Sequence, residues 1–220
     1  MKAIMIIMVL LLSAVVWGAS IPVCEETGSF SVTVISGDKP IKEVGGVAVI
    51  QFNSEYKLLL KNNNNRRAVA RVTIDGTNIS SFGDIVVRAN GELYLERFIT
   101  QSMEDGKRFK FVPLDHPEVD DPKKAENGLI RVEFKLEKNS GVYIIDSNQF
   151  SIPYNPDVPL IFKNNSFDVN SSFVGNITTS SSAELGATVG GSNSDQKFHK
   201  IELDLDDKIW TVEIRLNGGK

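Results

Sequence analysis

Ile130-Arg131-Val132-Glu133-Phe134-Lys135-Leu136-Glu137 alternates apolar and charged residues without a break. Successive side chains of a strand point to opposite faces. The stretch therefore puts Ile130, Val132, Phe134 and Leu136 on one face and only charges on the other. That is the signature of an antiparallel strand with one face on a core and one toward water. A helix needs apolar residues three and four apart, and no long stripe of that kind occurs.

The same period recurs outward from this stretch. Trp210, Val212, Ile214 and Leu216 alternate with Thr211, Glu213 and Arg215. Ala70, Val72 and Ile74 oppose Val69, Arg71 and Thr73, and Tyr56, Leu58 and Leu60 form another face. Phe109 and Phe111 alternate with Arg108 and Lys110, and Ile201, Leu203 and Leu205 with Glu202, Asp204 and Asp206. Between the runs lie turn residues. Asn62 to Asn65 is expected to turn through the left-handed conformation that asparagine tolerates. Asp75-Gly76, Asn90-Gly91 and Asp105-Gly106 suit type I′ hairpins. Asn139-Ser140-Gly141 and Asp206-Asp207-Lys208 mark further reversals. Roughly ten to twelve strands at near-regular spacing predict an all-β fold, an antiparallel, jelly-roll-like β-sandwich. His199 to Leu216 is expected to form a C-terminal hairpin completing the main sheet. A turn or two near Asp121 to Asn127 is the one candidate helix.

The N-terminus reads differently. After Met1-Lys2-Ala3, residues Ile4 to Val16 are almost wholly apolar and Gly18-Ala19-Ser20 follow. This is the layout of a secretory signal peptide, too short for the ~20 residues a membrane span needs. Residues 1–19 are therefore expected to be removed, and residues 20–220 to form a single domain exported to an extracellular, periplasmic or virion surface. That length builds a core without disulfide staples. Cys24 is the single cysteine, so no intrachain disulfide forms. Three fates stay open for it: lipidation, which Pro22 and Val23 fit badly, a bridge between chains, or a free thiol. The formal charge of −4 disfavours nucleic acid as a partner.

Residues 163–195 break the strand pattern with Asn, Ser, Thr and Gly. Phe167, Val169, Phe173, Val174 and Ile177 recur too often for a solvated tether, so a long loop laid over the sandwich is expected there.

Little in the chain carries catalytic chemistry. The densest oxygen ligands are Asp115, Glu118, Asp120 and Asp121, weak candidates for Ca²⁺, which takes six to eight oxygens. They lack the alternating spacing that wraps one ion, and a solvated acidic loop accounts for them as well. Asp204, Asp206 and Asp207 read as a solvated edge. With only His116 and His199 as histidines, a zinc site is not expected. No Gly-x-Ser-x-Gly elbow is present, and Gly190-Gly191 does not join a strand to a helix as a phosphate cradle would. A pair of carboxylates for glycoside hydrolysis is invisible in a sequence. No catalytic residue and no cofactor is therefore assigned. Asn78, Asn164, Asn170 and Asn176 each begin an Asn-x-Ser/Thr glycosylation sequon. Tyr143, Phe150, Tyr154 and Phe162 would serve either to stack on a partner or to plug the core beneath the long loop.

Two groups of motifs stand together. One is Tyr56-Lys57-Leu58-Leu59-Leu60-Lys61-Asn62-Asn63, then Ile74-Asp75-Gly76, Leu95-Glu96-Arg97-Phe98 and Phe109-Lys110-Phe111-Val112. The other is Gly186-Ala187-Thr188-Val189-Gly190-Gly191-Ser192, Asp195-Gln196-Lys197-Phe198 and Ile214-Arg215-Leu216. Together they resemble a group of uncharacterised secreted and viral β-rich proteins. The resemblance implies a shared fold and no activity. The expectation for function is a secreted, non-enzymatic structural or binding module that self-assembles or meets a surface glycan or protein, with the strand from Ser29 to Ile35 pairing in cis or donated to a neighbour. The alternative is a secreted carbohydrate-binding or glycan-hydrolysing protein.

Overall fold

The computed structural model describes residues 25–27, 29–138, 159–162 and 183–219. These are all-β. The strands in chain order are β1 (Glu25–Thr27), β2 (Phe30–Ser36), β3 (Lys39–Pro40), β4 (Glu43–Val44), β5 (Val47–Gln51) and β6 (Glu55–Asn62). Next come β7 (Ala68–Ile74), β8 (Thr77–Asn78), β9 (Asp84–Val87), β10 (Gly91–Leu95) and β11 (Gly106–Pro113). β12 (Leu129–Leu136), β13 (Leu160–Phe162), β14 (Glu184–Ser194), β15 (His199–Ile201) and β16 (Trp210–Gly219) complete the set. Residues Asp121 to Asn127 form hydrogen-bonded turns and no helix.

All sixteen strands belong to one hydrogen-bonded path running β1-β2-β6-β11-β14-β16-β12-β7-β9-β13-β15, with the short strands as branches. Pairing is antiparallel except where β16 meets β5 and β13 meets β15. The path folds back on itself. Phe30 of β2 and Phe134 of β12 are far apart along it, yet their rings stack with centroids 4.4 Å apart. Trp210, the cross-strand neighbour of Phe134, also meets Phe30 edge-on at 5.4 Å. The turning point is β14, whose first residues pair with β16 and whose remainder pairs with β11.

The decisive stretch behaves as its alternation requires. Ile130, Val132, Phe134 and Leu136 are all buried in the main core with Val72, Val212 and Ile214. The charged face is more closely packed than a solvated one. Arg131 lies opposite Glu213 and Glu133 opposite Arg71, so opposite charges meet across the ladders. Glu133 is only 4% exposed. The strand from Ser29 to Ile35 is β2, paired in cis along its whole length with β6.

Turn chemistry was specific at some sites only. Asp75 (φ 52°) and Gly76 (φ 71°) form a type I′ turn between β7 and β8, as expected. Gly37-Asp38 and Gly45-Gly46 do the same for β2–β3 and β4–β5. Asn90-Gly91 makes no hairpin, because β10 leaves β9 and pairs with β6. At Asp105-Gly106 neither residue has positive φ. Nor do Asn62 to Asn65, where the side chain of Asn62 organises the turn instead. Its Nδ2 donates to the carbonyls of Arg66, Val87 and Arg88, and its Oδ1 accepts from the Asn64 amide.

Two further expectations fail. Residues 184–194 lie in strand β14, not in a loop. The glycines there serve close packing: a Cβ on Gly186 would stand 2.4 Å from the Phe111 ring. His199 to Leu216 is not a hairpin either. β15 pairs with β13 at the end of the path, whereas β16 lies between β12 and β5. The alternation at Ile201, Leu203 and Leu205 reflects a second apolar cluster, packed with Val69, Val86 and Phe162.

Candidate functional site

Among the described residues, a groove of about 760 Å³ lies between the β2–β3 hairpin, β5 and the start of β6. The type I′ turn at Gly37-Asp38 sets one wall by folding Lys39 and Pro40 back onto Ile35 and Ser36. Val49, Ile50 and Gln51 of β5 supply another wall. Glu55 and Lys57 of β6, Arg108 of β11 and Glu96, just past β10, also line it.

These charged groups are already engaged. Lys57 Nζ is 2.9 Å from Asp38 Oδ1, and that hydrogen bond with the lysine's charge holds the Asp38 carboxyl below its ordinary value. Lys57 also lies 5.4 Å from the centre of the Tyr94 ring, and Tyr94 is 44% exposed beside the groove. Arg108 donates to Glu96 Oε2 at 2.9 Å, and Ser194 Oγ donates to Glu96 Oε1. Glu55 Oε1 accepts the Ser192 amide at 2.6 Å, a contact the missing Cβ of Gly191 leaves room for. Burial pushes the Glu55 carboxyl up. The Ser192 hydrogen bonds and the charges of Arg108 and Lys110 outweigh it, and Glu55 sits below its ordinary value.

Next to Glu96 lies Arg97, fully buried. Its Nε donates to the Gln196 carbonyl, and its Nη1 faces the carbonyls of Phe98, Ser102 and Asp105. The guanidinium is also 5.0 Å from the Phe198 ring centre. The 98–105 loop thus wraps a buried cation with backbone oxygens. Burial pulls Arg97 down, opposed by the charges of Asp105, Glu96 and Glu104.

A second carboxylate acts as a latch between elements. Asp75 Oδ1 accepts the Gly128 amide and Oδ2 the Thr188 amide, both at 2.6 Å. The type I′ turn of β7–β8 is thereby tied to the start of β12 and to β14. Burial raises Asp75 from its ordinary value despite both hydrogen bonds and the charges of Lys124 and Arg215. Tyr56 Oη shares a 2.9 Å hydrogen bond with Thr188 Oγ1 in the same region.

The residues singled out by sequence lie elsewhere. Asp115, Glu118, Asp120 and Asp121 are all exposed, and among the described residues no three His, Cys, Asp or Glu side chains gather as a metal-ligand set. Asp121 instead caps its own turn, accepting the Lys123 amide at 2.9 Å. His116 Nδ1 accepts the Glu118 amide at 3.3 Å. Asn78 is exposed at the end of β8. Phe162 is buried, so it is no surface anchor. Residues 1–19, Cys24, Tyr143, Phe150, Tyr154, Asn164, Asn170 and Asn176 lie outside the described residues. Sequence reasoning missed Glu55, Glu96, Arg97 and Arg108. Each sits beside an alternating strand run as an ordinary charge, with no local signal of its partners. Compared with protein-family models, curated proteins and solved structures, the chain matches none.

Proposed function

We propose that this chain is an exported, non-catalytic all-β module that acts through its surface, as a structural or binding component of an extracellular layer, filament or virion. One observation carries the non-catalytic part of this reading. In this groove Glu55 is held below its ordinary value, toward the ionised form, and Glu96 is committed to Arg108 and Ser194. Glycoside hydrolysis needs one carboxyl kept protonated near neutral pH to protonate the leaving group. Glu55 is shifted the wrong way for that task.

Carbohydrate binding without hydrolysis is the second reading. It is favoured by Tyr94, a half-exposed aromatic ring beside a groove of paired charges. Chromogenic glycosides and a glycan array, run with the exported protein, separate the readings. The expected result is no turnover on any glycoside. Turnover abolished by Glu55→Gln would overturn the non-catalytic reading, and saturable binding weakened by Tyr94→Ala would establish the second. Sedimentation at rising concentration tests assembly, where a sharply monomeric species with no recovered partner counts against it.

A further inference from the structure

The sequon Asn78-Ile79-Ser80 leaves the hairpin that Asp75 and Gly76 turn. Asn78 is exposed, and its Oδ1 accepts the Ser80 amide at 3.0 Å. Its Nδ2 has no partner among the described residues. The contrast with Asn62 is instructive. Asn62, also at a strand end, is fully buried and its Nδ2 donates to three carbonyls. Asn78 is thus an asparagine whose amide nitrogen the fold leaves unused.

The rest of the sequon faces inward. Ile79 is 1% exposed and Ser80 7%, and the Ser80 hydroxyl accepts the Phe82 amide at 3.2 Å. The folded chain therefore presents the acceptor nitrogen but buries the serine that defines the sequon. We infer that Asn78 is an N-glycan acceptor, modified during export before folding buries Ser80. In the transfer, Asn78 Nδ2 bonds to the anomeric carbon of an oligosaccharide carried on a lipid diphosphate. The anomeric C–O bond breaks, the carrier leaves with its electron pair as the lipid diphosphate, and the amide proton passes to a carboxylate of the transferase. The Oδ1 hydrogen bond to Ser80 survives this chemistry, because the glycosylated amide keeps its carbonyl. None of the groove-lining residues belongs to this hairpin, so a glycan here leaves the groove walls unmodified.

The inference rests on the export reading, and the test keeps the two apart. The full chain is expressed in eukaryotic secretory cells under its own leader, and the peptide containing Asn78 is weighed before and after enzymatic release of N-glycans. The expected result is a glycan mass on that peptide, converted to aspartate on release. It is lost in Asn78→Gln and Ser80→Ala and retained in Ser80→Thr. Because transfer precedes folding, a variant that misfolds still reports on its sequon. A second arm offers transferase and lipid-linked donor to unglycosylated protein. Modification of the denatured chain alone supports the proposed order, whereas equal modification of the folded protein overturns it. Retention inside the cell refutes export, and residues 1–19 are then replaced by a leader proven in that cell. Exported protein with unmodified Asn78 overturns the inference under either leader.

Discussion

At the scale of single residues, the fold depends on a few buried contacts whose loss can be estimated. Phe134 is fully buried and stacked on Phe30 of β2. Replacing it with alanine should cost about 3–5 kcal/mol, a large share of the ~5–15 kcal/mol that holds an ordinary domain. Phe134→Asp adds a buried, unpaired carboxylate and should abolish the yield of soluble, folded protein. Normal yield and unchanged melting of the aspartate variant would mean the register of β12 is wrong. Glu133, on the opposite face, presents a titration. Burial raises its carboxyl from the ordinary value, with Asp84 and Glu213 adding to the shift and Arg131 and Arg71 opposing it. Because the folded state holds that proton more tightly than the unfolded chain, ionised Glu133 costs stability at neutral pH. Glu133→Gln should therefore melt higher than the parent above the raised folded value. The gain should shrink through the window below it and vanish once both states are protonated. Arg131 and Arg71 keep Glu213 and Asp84 as partners in that variant. Melting curves from acid to neutral pH check the sign, and a lower melting point for the glutamine variant at neutral pH refutes it.

At the scale of elements, alternation and composition were legible to different degrees. β12 and the first half of β16 could be read directly, because a two-residue period with a buried face admits one register. Asp75-Gly76 was legible as a type I′ turn since both residues must take positive φ there. β14 was not legible. Its Gly186, Gly190 and Gly191 resemble loop residues by composition, and only the packed neighbours reveal their role. A Cβ on Gly186 would press into the Phe111 ring at 2.4 Å and the Val112 carbonyl at 2.6 Å, in a strand without positive φ. Gly186→Ala should thus cost about 1–3 kcal/mol through overpacking. Gly190→Ala meets only the Lys107 side chain, whose Cβ is the nearest atom at 3.1 Å, and should cost less because that overlap is much smaller than the one at Gly186. Equal denaturation midpoints for the two variants would contradict the strand assignment of Gly186. The candidate site was illegible for a related reason. Glu55, Glu96 and Arg108 come from three separate stretches, and their hydrogen bonds to Ser192 and Ser194 come from a fourth. Charge pairing of that kind exists only once β6, β11 and β14 lie side by side.

At the scale of the whole molecule, the end of the chain completes the middle of the fold. β16 pairs with β12 on one side, runs parallel to β5 on the other, and meets β14 where the path turns back. Its Val212, Ile214 and Leu216 are buried in the main core. Phe198, upstream, is fully buried and faces the Arg97 guanidinium. Deleting residues 197–220 therefore removes an interior strand, not an edge. β12 and β5 would each lose a hydrogen-bonded neighbour, and β14 its link to β12. The exposed strand edges and the apolar face beneath them are templates for aggregation. The truncated chain should be insoluble, or soluble only as aggregates without a cooperative thermal transition. A recognition tail appended to a finished domain would behave otherwise, leaving a folded remainder that melts near the parent and loses only binding. Replacing only Lys197 and Lys200, which keeps every strand, supplies the control: its melting should stay near the parent's, since Lys197 pairs with Glu104 at the surface. A cooperative transition in the truncation near the parent midpoint would show that the central place of β16 contributes little to stability.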